Sequence, residues 1–130
     1  MTSPRYRALA LQTACHSVSQ AQDAAAARSA MHAAIDRIHG ETKASLAMIG
    51  PGVRLVVLPE YALSGPPSGV SLPEWAERAA LDPEGPEYAR LADIAVDTST
   101  YLAVNNYELD EHFPGVYFQS CVIFDPAGKV

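Results

Sequence analysis

The stretch Arg54-Leu55-Val56-Val57-Leu58-Pro59-Glu60 constrains the fold more than any other part of the chain. Four consecutive branched apolar residues, Leu55 to Leu58, leave no polar face, so the run predicts a strand buried on both sides, the kind found in parallel sheets. Pro59 has no N–H to give a ladder, so the strand must stop there. Glu60 then stands at the strand's carboxyl end, the edge at which ligands gather in α/β sheets.

The flanking segments supply the other parts of an α/β unit. Tyr6 to Thr13 is short, mostly apolar and bounded by polar residues, which predicts a first buried strand. Ala27, Met31, Ala34, Ile35 and Ile38 recur at helical spacing, with Arg28, Ser29, His32, Asp36 and Arg37 opposite. The alanine run from Ala24 favours that helix. Gly40 is a position where it can end or bend. Leu46, Met48 and Ile49 can carry it on to Gly50-Pro51-Gly52, which stops it. Strand, helix, strand is the α/β order.

Beyond Glu60, Ser64 to Gly69 reads as a loop and Glu74 to Ala80 as a short helix or turn. Tyr88, Leu91, Ala92, Ala95 and Val96 form a second helical stripe, with Pro86 suited to its first turn. Tyr101–Tyr107 and Val116–Asp125 are strands, and Glu108 to Gly115 joins them as a hairpin. Asp125-Pro126-Ala127-Gly128 carries a type I turn signature, which should launch a returning strand. Only Lys129 and Val130 follow, so residues 1–130 are expected to be the N-terminal part of a single domain that continues past Val130.

Composition narrows the function classes. A chain of 130 residues, 48% hydrophobic, can bury a core and holds one domain at most. Nine Lys+Arg against 15 Asp+Glu, with no basic patch, argue against nucleic-acid binding. No apolar stretch approaches the roughly 18 residues of a membrane span, and none near the N-terminus is long enough for a signal segment. Two cysteines are too few for a disulfide scaffold. A soluble, reduced, cytoplasmic protein is expected.

Glu60 is the sharpest candidate for chemistry. A carboxylate at the end of a buried strand can act as a general base, or it can simply be solvated there or pair with an arginine. Cys121 sits mid-strand among apolar residues and reads as core packing, as does Cys15. His16 beside Cys15 points to the opposite strand face and makes no dyad with it. His16, His32, His39 and His112 lack metal-ligand spacing, so no metal is expected. His32 and Asp36, one helical turn apart, read as a solvated pair. The glycines form no nucleotide-binding loop, so no cofactor is expected. Gly65-Pro66-Pro67-Ser68-Gly69 either shapes a pocket mouth or is a plain surface connection. Tyr61 and Trp75 either line a pocket or belong to the core.

Leu55 to Tyr61 followed by Leu63-Ser64-Gly65 resembles the nitrilase superfamily of carbon–nitrogen hydrolases, whose members carry an apolar strand ending in Pro-Glu, a short apolar step and a glycine. Ala8 to Gln12 is similar to the family's first strand, Gly85-Pro86 to a common helix opening, and Tyr117 to Val130 to its hairpin and turn. Gln119 stands where the family often has Asn. The resemblance implies an α-β-β-α sandwich of the nitrilase type, present here only in its N-terminal part. It implies a Glu-Lys-Cys triad in which Glu60 is the general base toward a cysteine thiol. The lysine would stabilise the tetrahedral intermediate. Lys129 and Cys121 match neither partner, which by the resemblance lie beyond Val130. The implied substrate is a small amide or nitrile, hydrolysed by a longer, homo-oligomeric parent. Residues 1–130 alone would then be inactive. The alternative is a non-catalytic α/β binding module or a degenerate relative.

Overall fold

A computed structural model describes residues 5–130. The opening Met1 to Pro4, part of the stretch read above as free of a signal segment, lies outside the described residues. Seven elements follow in order: β1 (Arg7–Ala10), α1 (Ala24–Ile49), β2 (Val53–Val57), α2 (Leu72–Ala79), α3 (Pro86–Thr98), β3 (Tyr101–Glu108) and β4 (Phe118–Phe124). The strands form one sheet in the order β1-β2-β3-β4. β1, β2 and β3 run parallel, and β4 returns antiparallel to β3 as the expected hairpin.

Helix α1 starts where Asp23, in extended conformation, accepts the Ala26 N–H on its side chain at 2.7 Å. It runs through Gly40 without ending and stops at Gly50 (φ +83°), a left-handed position that suits glycine. The expected stripe is buried as Ala27, Met31, Ala34, Ile35 and Ile38, extended by Thr42. Thr42 satisfies its hydroxyl by donating to the Ile38 carbonyl at 2.7 Å. At α2, the Glu74 carboxylate accepts from both the N–H and the hydroxyl of Ser71. Pro86 opens α3.

One row of apolar side chains crosses the sheet on the helix side. Leu9 pairs with Val56, Val56 with Leu102 and Leu102 with Phe124. Val56, Leu102 and Phe124 are buried with Met31, Ile35, Trp75, Leu91 and Ile94 in one core. The alternate row, Ala10-Val57-Ala103-Ile123, lies on the opposite face. There Val57 is 37% and Ile123 50% exposed.

Several expectations are corrected by this arrangement. β1 and β2 are each covered on one face only, and β1 is shorter than the apolar run suggested. Cys121 lies on the open face, so both it and Cys15 are exposed rather than core. Strand alternation puts Val122 and Phe124 inward and Cys121 and Ile123 outward; local apolarity did not distinguish them. His32 and Asp36 do not pair with each other. His32 Nε2 meets Glu87 at 2.8 Å and Asp36 takes Arg90 at 2.8 Å, so both tie α1 to α3. In α3 the buried face is Glu87, Tyr88, Leu91, Ile94 and Ala95, with Val96 turned outward.

Candidate active site

The carboxyl end of β2 is fixed by its neighbours. Leu58 N–H donates to the Ala103 carbonyl at 3.0 Å, prolonging the β2–β3 register by one residue past the strand. Pro59 then ends the pairing. The chain turns through Glu60 and Tyr61, and Tyr61 takes φ +59°, a left-handed conformation uncommon outside glycine. Two donors hold the Tyr61 carbonyl in that turn: Gly65 N–H at 2.9 Å and the Cys15 thiol at 2.8 Å. Gly65 packs against Ser17 so closely that an added Cβ would lie 2.8 Å from Ser17 Cα. Here glycine is demanded twice, by φ +69° and by this contact.

The turn presents Glu60 exposed at the rim of the open sheet face. Gln119 Nε2 donates to Glu60 Oε1 at 2.7 Å and approaches Asn105 Oδ1 at 3.3 Å. Asn105 Nδ2 in turn donates to the Ser120 carbonyl at 3.3 Å. Among the described residues no arginine pairs with Glu60, so the ion-pair reading of this residue has no partner there.

Behind Glu60 stands an aromatic cluster. Tyr61 stacks on Tyr107 with ring centroids 5.6 Å apart, and Tyr107 meets Trp75 and Tyr117 edge-on at 5.6 and 5.2 Å. Trp75 is wholly buried and Tyr61 half-buried against the core. Burial pushes the Tyr107 phenol well above the ordinary tyrosine value; the Tyr61 hydroxyl beside it and the charge of Glu60 act in the same direction. Tyr107 therefore stays neutral at physiological pH.

Gln119, Asn105 and Tyr107 were not singled out as site residues by sequence reasoning. Alternation along β4 places Gln119 on one face with Cys121 and Ile123. Which of them meets Glu60 depends on the β3–β4 register, where Tyr107 pairs with Gln119 and Asn105 with Cys121. A separate cavity of ≈ 720 Å³ lies between the Asp82–Glu84 loop and the hairpin loop, and Glu60 does not line it.

The family model for carbon-nitrogen hydrolases matches residues 10–130, nearly the whole chain. The chain belongs to the carbon-nitrogen hydrolase family. No curated protein gives a significant match by sequence. Solved structures of the nitrilase fold are similar. Nit3 of Saccharomyces cerevisiae, a member of branch 10 of the nitrilase superfamily, superposes with a TM-score of 0.61 at 21% identity, covering 78% of this chain and 36% of its own. A carbon-nitrogen hydrolase from Helicobacter pylori G27 gives 0.54 at 22% identity, covering 77% and 32%. An N-terminal amidase gives 0.61 at 17% identity, covering 75% and 22%. The chain therefore has part of a nitrilase-type α/β fold and spans between 22% and 36% of the length of these three structures.

Proposed function

We propose that this chain is the N-terminal part of a thiol-dependent hydrolase that cleaves an amide or nitrile carbon–nitrogen bond, with Glu60 as its general base. Glu60 Oε2 removes the thiol proton of a cysteine supplied by the rest of the protein. The thiolate adds to the amide carbonyl carbon, and a lysine from the same region stabilises the oxyanion. The protonated Glu60 returns its proton to the leaving nitrogen, the C–N bond breaks, and ammonia or an amine departs from a thioester. Glu60 then takes a proton from water as hydroxide adds to the thioester; the C–S bond breaks, the acid leaves, and Glu60 returns that proton to the departing thiolate, restoring thiol and carboxylate.

The observation that carries this reading is the state of the carboxylate. It stands at the carboxyl end of a parallel strand, with one oxygen held by Gln119 and the other without a hydrogen bond among the described residues. An oriented carboxylate with a free oxygen is what a base toward a thiol needs. The amide class also fits a structural neighbour, the N-terminal amidase, which has been solved with an Asn-Glu peptide.

The test is Glu60→Gln in the full-length protein, assayed on a panel of amides and nitriles. The swap keeps size and removes the base. Turnover is expected to fall roughly 10²–10⁴-fold with an unchanged thermal melt. Near-normal turnover by a well-folded variant would end the assignment.

A further inference from the structure

We infer that Gln119 is a positioning residue for Glu60, locked as a donor by a relay that begins at the backbone of β4. The direction of each amide follows from what its partners can do. The Ser120 carbonyl only accepts, so the Asn105 group facing it at 3.3 Å is the NH₂. The Asn105 oxygen is thereby turned toward Gln119, at 3.3 Å from Nε2. A carboxylate, the form in which Glu60 can act as a base, also only accepts, and it lies 2.7 Å from the same nitrogen. Both acceptors call for the Gln119 NH₂ group, and its two N–H bonds serve one each. Reversing either amide would set oxygen against oxygen. The orientation is thus fixed by chemistry rather than by choice of rotamer.

The consequence falls on Glu60. Its side chain is long and exposed, and nothing else among the described residues bonds to its carboxylate. Without Gln119 it would sample several rotamers. With Oε1 tethered, Oε2 is held in one place, free to meet a proton. Gln119 itself touches neither thiol nor substrate in this scheme; it acts through Glu60. β3 and β4 supply the tether from paired strands, a firmer base than a loop.

This inference rests on Glu60 being the base, so the test first separates the two claims. In the full-length enzyme Glu60→Gln is measured beside Gln119→Leu, Gln119→Asn and the double variant. If Glu60→Gln turns over normally, the reading of Glu60 fails and the role of Gln119 fails with it. Given an inactive Glu60→Gln, Gln119→Leu is expected to lower kcat roughly 10- to 100-fold, the scale of a misplaced catalytic group, with KM within about twofold. Gln119→Asn, which keeps the NH₂ donor on a shorter arm, should recover part of the loss. In the Glu60→Gln background, Gln119→Leu should cost nothing more. Full kcat in a folded Gln119→Leu, or an undiminished further loss in the double variant, would overturn the proposal. Gln119 is exposed on the open sheet face, so the variants should melt with the parent; a Gln119→Leu variant that loses kcat only in proportion to a lowered melt would also overturn it.

Discussion

Gly65 shows how tightly the turn after Glu60 is specified. Its positive φ and its contact with Ser17 leave no room for a side chain. Gly65→Ala should therefore destabilise the protein by roughly 1–3 kcal/mol, read as a lowered denaturant midpoint. It should also reduce turnover, because Tyr61 and Glu60 share that turn. Cys121 makes the opposite prediction. The sequence placed it in the core, where truncation costs energy; the structure exposes it. Cys121→Ala should change stability by no more than about 0.5 kcal/mol and leave hydrolysis intact. Activity lost at unchanged stability would mark Cys121 as part of the chemistry.

The elements were legible in the sequence where a pattern was long or a stop signal strong. The stripe from Ala27 to Ile38, the Gly50-Pro51-Gly52 stop, Pro86 and the hairpin all stand where expected. Their lengths and faces were less legible. The apolar run at Leu55 to Leu58 fits a strand covered on both sides or one still open on one, because composition does not record what packs on it. The place of Glu60 at a strand end was legible, whereas its contact with Gln119, and that of Gln119 with Asn105, required a register between strands that no local pattern encodes. Two contacts give element-scale tests. Trp75 anchors α2 against Tyr107 and is fully buried, so Trp75→Ala should cost about 3–5 kcal/mol in denaturant unfolding. Lys43 and His39 beside Asp97 hold its carboxyl below the usual range and link α1 to α3. A lowered carboxyl value stabilises the fold at pH above the ordinary aspartate range, and that contribution is lost as pH falls through the lowered value. Asp97→Asn should therefore flatten the acid side of the stability profile slightly, the pair being exposed and screened by salt.

At the scale of the molecule, helices cover one side of the sheet and the other side carries Val57, Tyr101 and Ile123 in the open. Such an apolar face drives association. Residues 1–130 expressed alone should sediment as a concentration-dependent mixture, and Val57→Lys with Ile123→Lys should shift it toward monomer. A monodisperse preparation of the unsubstituted residues 1–130 would show that this face needs no cover. The chain belongs to the carbon-nitrogen hydrolase family and spans 22–36% of the length of three solved structures of that fold; the central proposal is that Glu60 serves as the base of the hydrolysis. The most direct measurement is peptide mapping by mass spectrometry of the full-length protein, acid-quenched during turnover of an amide. The acyl group should appear as a thioester on a cysteine beyond Val130, and Glu60→Gln should slow the appearance of that adduct roughly 10²–10⁴-fold. Equal acylation of both proteins, or an adduct on Cys15 or Cys121, would contradict the role given to Glu60 and the thiol assigned to it.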